Sequence, residues 1–154
     1  MTIEVTIHPF QASLQDQTRA LVLAGLADHW GDVDDSLNGD LTEIEVAYAE
    51  DIFLVALDGS GEVVGTGALR LRLPDGEIVR MSVRSDHRRR GIATRVAQTL
   101  LQAARDHGMK RVVLETQATW KEVRRFYEGL GFTLTHYAEG DFGTDAWYAL
   151  DLTK

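Results

Sequence analysis

The stretch DHRRRGIATRVAQTLLQAARDHG, residues 86–108, places a dense basic group directly before a glycine and a helix. Three arginines at 88–90 precede Gly91, and an apolar pattern with helical spacing begins at Ile92. A helix N-terminus presents free backbone N–H groups and about half a positive charge, which favours an anion. Because Gly91 has no Cβ and Ala93 is nearly as small, a ligand can approach the backbone closely. The pattern indicates a phosphate-binding turn, although a solvated basic loop has the same composition.

Composition limits the classes of protein to which the chain can belong. The 154 residues are 44% hydrophobic and 26% charged, which is typical of a soluble globular protein, and we expect one domain over residues 1–154. The absence of cysteine excludes disulfides and a thiolate nucleophile, and the histidines lack metal-ligand spacing, so no metal is expected. The N-terminus does not resemble a signal peptide, and no apolar stretch is long enough to span a bilayer. We therefore expect a cytoplasmic protein that does not bind membranes.

Periodicity predicts an alternation of strands and helices. An N-terminal strand precedes a helix ending near Trp30, and a second helix is predicted from one apolar stripe, Leu37, Leu41, Ile44 and Tyr48. The segments IFLVAL, EVVGTGALRLRL and EIVRMSV follow as an antiparallel meander divided by DGSG and PDG turns. The helix of the opening stretch comes next, and then strand RVVLET, a helix over 120–130, and the strands FTLTHY and AWYALDL. This order predicts an α/β fold with a mixed sheet and helices on both faces.

In this context the arginine–glycine turn resembles the acyl-CoA-binding loop of the GNAT superfamily of N-acetyltransferases. Arg88-x-x-Gly91-x-Ala93 matches that family's pattern of Gln or Arg, two residues, Gly, one residue, and Gly or Ala. The segments RMSV, VVLET and RRFYEGLGF resemble the family's neighbouring strands and its C-terminal segment, and the element order matches along essentially the whole chain. The resemblance implies a GNAT-like mixed, mostly antiparallel central sheet of about seven strands, with about four helices on its two faces.

The resemblance also implies that acetyl-CoA is the acyl donor, and it assigns residues to that cofactor. Backbone amides from Arg88 to Thr94 would surround the pyrophosphate, while the arginines attract the phosphates of coenzyme A. Backbone groups of Met81 and Val83 would pair with the pantetheine arm, and one N–H would polarise the acyl carbonyl. The expected cofactor-binding residues are Met81, Val83, Arg88, Arg89, Arg90, Gly91, Ile92, Ala93 and Thr94.

Two residues are candidates for the chemistry of thioester aminolysis, which needs a neutral amine and a protonated leaving group. Glu77 stands at the start of the strand EIVRMSV, where some family members have a general base, and a solvated strand end is the other interpretation. Tyr127 matches the family tyrosine that protonates the leaving sulfur, although an aromatic beside Phe126 also suits a core. The family often has asparagine where this chain has Trp120, and we expect Trp120 to pack against the cofactor instead.

The acceptor is predicted to be a primary amine of a small molecule or a protein, and a cationic one. The fold usually forms its acceptor site from the first two helices and the last strand pair, and aromatic residues occur in all of these elements. The two helices also carry acidic residues, and an acidic, aromatic rim favours a cationic amine. The acidic residues are Asp28, Asp32, Asp34, Asp35, Asp40, Glu43 and Glu45. A solvated acidic face is the alternative. A homodimer is possible. Two other functions stay open: a non-catalytic acyl-CoA-binding module, and a small nucleic-acid-binding domain, which the net charge of −8 disfavours.

Overall fold

The computed structural model describes residues 4–31 and 35–153, and only the backbone of residues 35–37. Seven strands and four α-helices follow one another along this part of the chain. In chain order they are β1 (Thr6–Pro9), α1 (Gln15–Trp30), α2 (Ile44–Ala47), β2 (Ile52–Leu57), β3 (Val63–Arg72), β4 (Asp75–Val83), α3 (Ile92–Asp106), β5 (Arg111–Gln117), α4 (Lys121–Gly129), β6 (Thr133–Gly140) and β7 (Gly143–Asp151). Short 3₁₀ helices lie at Ala12–Leu14, Asp35–Leu41 and Ser85–His87.

The strands form one sheet in the order β1-β2-β3-β4-β5-β7-β6. All neighbours are antiparallel except β4 and β5, which are parallel. Apolar residues of α3 and α4 pack on one face, and those of α1 and α2 pack on the other. The expected mixed, mostly antiparallel sheet with helices on both faces is confirmed.

The predicted second helix is wrong in its extent. The segment forms the 3₁₀ turn Asp35–Leu41, which is irregular at Asn38, and then only the single turn α2. The side chain of Gln15 bridges the break, because it donates to the Leu41 carbonyl at 2.7 Å and accepts from the Ile44 N–H at 3.0 Å. Leu41, Ile44 and Tyr48 are nevertheless buried, whereas the side chain of Leu37 lies outside the described residues. The apolar stripe identified the core residues but not the backbone that carries them.

A bulge distorts β4 where it passes the middle of the sheet. Gly67 of β3 lies opposite two residues of β4, Arg80 and Met81. Arg80 adopts a left-handed backbone with φ of 57°, and the hydroxyl of Thr66 donates to its carbonyl at 2.8 Å. Such bulges bend a strand and change the direction of its side chains.

Strands β4 and β5 pair only at their beginnings. The parallel register joins Asp75–Glu77 to residues 111–113 and then stops. Beyond that point β5 continues along β7 as far as Gln117, while β4 continues along β3 as far as Val83. The two central strands therefore separate, and the sheet has an opening at its centre.

Candidate active site

A cleft of about 950 Å³ lies where β4 and β5 separate. Residues of α1, β4, β5 and the start of α4 line it. Of the eleven predicted catalytic and cofactor-binding residues, five are among them: Glu77, Met81, Val83, Arg88 and Tyr127. The other six, Arg89, Arg90, Gly91, Ile92, Ala93 and Thr94, occupy the adjoining loop and the first turn of α3. The side chain of Ile92 is only 3% exposed and belongs to the core.

The two predicted catalytic side chains approach the cleft from opposite faces of the sheet. Neighbouring residues along a strand point to opposite faces. Ile78 is in the core beneath α3, so Glu77 points towards the face covered by α1. Tyr127, on α4, packs in the same core as Ile78. The opening between the strands therefore has a carboxylate on one side and a phenol on the other.

Tyr127 is buried except for access to the cleft. Its side chain is 6% exposed and meets Phe126 and Phe132 edge-on. Burial raises the pKa of Tyr127 above the ordinary value of 10, so its phenol stays protonated at neutral pH. Within the described part of the chain its hydroxyl has no hydrogen-bond partner, so it is free to donate to a ligand.

A second carboxylate, that of Glu115, lines the cleft on β5. Val113 pairs with Glu77, and Glu115 lies two residues further along the strand, so both glutamates point to the same face. Partial desolvation, with the nearby charges of Asp145 and Glu77, raises the pKa of Glu115. Arg70 stands opposite Glu77 on β3, but its guanidinium bonds to Asp51 at 3.0 Å instead.

The turn before α3 has the backbone geometry of an anion site. Arg89 and Gly91 have left-handed backbones, with φ of 63° and 80°. Left-handed residues in such a turn point successive backbone N–H groups into one concavity, which suits a phosphate group. Gly91 is the N-cap residue of α3 and has no side chain to cap the helix, so the first-turn N–H groups stay open to a ligand. A Cβ at Gly91 would meet no atom within 4 Å, so the space beside it is free.

Arg88 connects this turn to α1. Its guanidinium donates to Asp28 at 2.9 Å and to the carbonyl of Val83 at 3.3 Å. Both side chains of the ion pair are about half exposed, at 48% and 54%, so the pair contributes little to stability. A phosphate bound at the turn would compete with Asp28 for this arginine.

Two of the acidic residues predicted to form the acceptor rim, Asp28 and Asp40, are paired with arginines. Asp40 accepts two hydrogen bonds from Arg80, at 2.6 and 3.0 Å, and one from Tyr48 at 2.6 Å. Burial alone would raise the pKa of Asp40, but these bonds and the charge of Arg80 hold it below its usual value. The remaining members of the predicted rim give no direct support: Glu43 and Glu45 are exposed and do not line the cleft, while Asp32, Asp34 and the side chain of Asp35 lie outside the described residues.

Aromatic side chains close one end of the cleft. His29 stacks on Trp120 with centroids 4.0 Å apart and rings 18° from parallel. Trp30 packs against Trp120 and against Phe142 of the β6–β7 turn. Trp120, the residue that departs from the family pattern, thus joins α1 to the start of α4, and its predicted contact with the cofactor stays a prediction.

Sequence reasoning missed Glu115 and Arg80. In the sequence, Glu115 is one polar residue within the buried strand RVVLET. The only sign of the face that it occupies is its position two residues after Val113, since residues two apart on a strand point to the same face. Arg80 lies within the strand EIVRMSV, and nothing in the neighbouring sequence predicts its left-handed backbone conformation. Both residues acquire their positions from strand pairing.

Comparison with known proteins defines the class. Residues 16–132 match the acetyltransferase (GNAT) family model, so the chain belongs to this family. A rat protein named N-acetyltransferase 8F1 is 37% identical over 106 residues, which are 64% of this chain and 48% of the relative. The chain thus matches about half the length of such curated relatives.

Solved structures share the fold across the whole chain. A GNAT-family acetyltransferase from Staphylococcus aureus Mu50 has a TM-score of 0.86 at 19% identity, covering 97% of this chain and 99% of that one. The PaiA N-acetyltransferase of Thermoplasma acidophilum, solved in complex with coenzyme A, has a TM-score of 0.80 at 11% identity, covering 96% and 99%.

Two other features are absent from the part of the chain that the structure describes. Among residues 4–31 and 35–153, no group of three or more His, Asp or Glu side chains is arranged to hold a metal ion. No helix in this same part of the chain has the length and apolar character needed to span a membrane.

Proposed function

We propose that this protein is an acyl-CoA-dependent N-acyltransferase that moves an acetyl group from acetyl-CoA to a primary amine. The observation that carries the proposal is the opening between β4 and β5, which leads to the uncapped N-terminus of α3 at Gly91. Family membership and the coenzyme A bound to the Thermoplasma relative support the choice of cosubstrate. Small-molecule and protein amines are both possible acceptors, and we favour a cationic one.

In this proposal coenzyme A lies along the cleft from the arginine turn to the opening. Backbone N–H groups of 88–94 bind its pyrophosphate, and the three arginines of the turn bind its phosphates. Beyond Glu77 no residue of β5 pairs with β4, so backbone groups of Met81 and Val83 on that edge are available to the pantetheine arm. The thioester then lies between Glu77 and Tyr127.

The reaction is a direct attack. Glu77 takes a proton from the acceptor ammonium group, directly or through a water molecule. The neutral nitrogen attacks the thioester carbonyl carbon, and a backbone N–H of β4 stabilises the oxyanion. The intermediate collapses by breaking the C–S bond, and Tyr127 gives its proton to the departing thiolate. The products are the N-acetyl amine and coenzyme A.

A pair of glycine substitutions tests the cofactor site. Gly91→Glu introduces a side chain, a negative charge and left-handed strain at the turn. Gly108→Glu is the matched control, because Gly108 also has a left-handed φ, of 74°, and also has open space around its Cβ position, but it follows the other end of α3. Calorimetry should show acetyl-CoA binding at least tenfold weaker for Gly91→Glu than for Gly108→Glu. Equal affinities would refute the proposed cofactor site.

Thiol release from acetyl-CoA with a panel of amines tests the transferase activity itself. A catalytic protein releases coenzyme A only when an acceptor is present. Binding of acetyl-CoA without thiol release across small amines and peptide amines would favour the alternative, a non-catalytic acyl-CoA-binding module.

A further inference from the structure

The peptide between Arg80 and Met81 lies at the bulge of β4, beside the opening of the sheet. Arg80 lines the cleft and has a left-handed backbone, a conformation that costs free energy in any residue with a Cβ. A residue strained in this way persists only where its surroundings fix it. We propose that Arg80 is a positioning residue, which together with Thr66 directs the N–H of Met81 into the opening to polarise the thioester carbonyl. The inference rests on the proposed function and identifies what holds its oxyanion donor.

The first indication of the direction of the Met81 N–H comes from Thr66 on β3. The hydroxyl of Thr66 donates to the carbonyl of Arg80 at 2.8 Å. The peptide between Arg80 and Met81 is trans, so its C=O and its N–H point in opposite directions. Because the carbonyl points towards β3, the N–H points away from β3, to the side from which β5 has separated.

The strand register beyond the bulge gives the same direction independently. The N–H of Arg84 donates to the carbonyl of Val64 on β3 at 2.9 Å. The neighbouring residue, Val83, lies opposite Gly65. Hydrogen-bonded and non-hydrogen-bonded pairs alternate along antiparallel strands, so the N–H of Val83 points to the opposite edge of β4, and that of Met81, two residues earlier, does the same. This is the edge with which β5 stops pairing after residue 77.

Contacts on both sides of its Cα hold Arg80 in the left-handed conformation. Its guanidinium donates twice to Asp40, at 2.6 and 3.0 Å, and once to the side-chain oxygen of Asn38 at 2.9 Å. The side chains of Arg80 and Asp40 are mostly buried, and Thr66, which binds the carbonyl of Arg80, is fully buried. The side chain and the carbonyl are therefore both fixed, and the backbone between them has little freedom to relax.

A second arginine shows that such an ion pair does not need a left-handed backbone. Arg70 donates to Asp51 at 3.0 Å and to the carbonyl of Ala47 at 3.1 Å, and its side chain is buried to about the same extent as that of Arg80. Its backbone is nevertheless that of an ordinary strand residue. The conformation of Arg80 therefore serves the peptide that follows it rather than the ion pair.

Paired substitutions separate the backbone of Arg80 from its side chain. Arg80→Ala removes the guanidinium and keeps the cost of a left-handed backbone, whereas Arg80→Gly removes the same guanidinium and adopts that backbone without the cost. Because both variants lose the bonds to Asp40 and Asn38, a difference between them reports the backbone. Arg70→Ala and Arg70→Gly are the matched controls, since glycine brings no such advantage to an ordinary strand residue.

The first readout needs no acceptor. It is the carbon-13 NMR shift of acetyl-CoA, labelled at the carbonyl carbon and bound to each variant, because a donor at the carbonyl oxygen moves this resonance downfield of free acetyl-CoA. We expect the downfield shift in the parent and in Arg80→Gly, and a smaller one in Arg80→Ala. Calorimetry should show that the affinity for acetyl-CoA changes by less than about tenfold, since at most one neutral hydrogen bond is lost.

The second readout is kcat with the amine that the parent acetylates fastest. Loss of one oxyanion donor typically lowers kcat by about 10²–10³-fold, and a displaced donor costs less, so Arg80→Ala should lower kcat by about 10–100-fold. Arg80→Gly should recover most of this loss, whereas Arg70→Gly should be no faster than Arg70→Ala.

A second pair of variants tests the other contact. Thr66→Ser keeps the hydroxyl that donates to the Arg80 carbonyl, and Thr66→Val removes it with little change of shape. Thr66→Ser should keep the carbonyl shift and kcat of the parent, and Thr66→Val should reduce both. Thermal unfolding verifies that the variants are folded, and if the Arg80 variants do not fold, the Thr66 pair decides.

The outcomes separate this inference from the proposed function. Equal carbonyl shifts and equal kcat for Arg80→Ala and Arg80→Gly would overturn the inference and leave the transferase function intact. Equal values for Thr66→Ser and Thr66→Val would do the same. Failure of the parent to bind acetyl-CoA, or to release thiol with any amine, would instead overturn the proposed function, and the inference with it.

Discussion

Replacing Tyr127 by phenylalanine removes one oxygen atom and keeps the packing of the ring. The ring meets Phe126 with centroids 5.0 Å apart and Phe132 with centroids 5.8 Å apart, and both contacts survive the change. The hydroxyl has no hydrogen-bond partner among the described residues, so its removal leaves no group of the free protein unpaired. We therefore expect the free energy of unfolding to change by less than about 0.5 kcal/mol, which shifts Tm by no more than about 2 °C.

The catalytic loss should be larger and is set by proton transfer. General acid catalysis typically contributes about 10²–10⁴-fold in rate. Burial raises the pKa of Tyr127, which makes the phenol a weaker donor by about 1.36 kcal/mol for each pKa unit. The thiolate leaves into the same partly desolvated cleft, where its own pKa also rises, so part of this penalty cancels. We expect Tyr127→Phe to lower the rate of the chemical step by about 10–10²-fold.

Single-turnover release of coenzyme A, followed with a thiol reagent, isolates that step. The matched control is Tyr137→Phe, because Tyr137 is 53% exposed on β6 and its hydroxyl accepts a hydrogen bond from Arg124 outside the cleft. This control should keep the parent rate. Since the pKa of Tyr127 lies above 10, the parent should also lose no rate through phenol ionisation below about pH 10.

Two results would refute the reasoning. A single-turnover rate of Tyr127→Phe within about twofold of the parent would mean that water or another group protonates the sulfur. A large loss of acetyl-CoA affinity with an unchanged chemical step would assign the hydroxyl to cofactor binding instead.

Three further changes have defined outcomes. Glu77→Gln should lower kcat/KM most near neutral pH and recover partly at high pH, where more acceptor is already neutral; a constant ratio to the parent across pH would leave Glu77 a structural role. Gly67→Ala should destabilise the protein by about 1–3 kcal/mol in chemical denaturation, because its Cβ would lie 2.6 Å from Cγ1 of Val96; unchanged stability would contradict this packing. Asp40 has a lowered pKa when folded, so its pairing with Arg80 stabilises the protein above about pH 4 and this contribution fades as the pH falls further. The Tm difference between the parent and Asp40→Asn should therefore be smaller at pH 3 than at pH 7, and an equal difference would exclude the charged pair as its cause.

Local periodicity was enough to predict the elements that depend on their own sequence. In α3 the residues Ile92, Val96, Leu100 and Ala104 recur every four positions, and all four are at most 3% exposed. The turn before this helix was equally predictable, because three arginines followed by a glycine are adjacent in the sequence. The same reasoning failed between residues 35 and 47, where the Gln15 side chain replaces helical hydrogen bonds from a distant part of the chain.

The candidate site was predictable only in part, because the opening that forms it depends on which strands pair. Nothing in the sequence predicts that β5 stops pairing with β4 after Val113 while it continues to pair with β7. This separation of β4 and β5 creates the cleft. Glu77 and Tyr127 were singled out by resemblance, whereas Glu115 becomes noticeable only when its register with Glu77 is known.

The distribution of charge shows why net charge is a poor guide to the acceptor. Three acidic residues of the first third pair with arginines: Asp28 with Arg88, Asp40 with Arg80 and Asp51 with Arg70. These ion pairs offset part of the negative charge, and the net charge of −8 acts mainly at long range, where salt screens it beyond about 8 Å. Discrimination among cationic acceptors must then come from short-range contacts. On this argument added salt lowers the turnover of all cationic acceptors together, while the preference among them depends on contacts within the cleft.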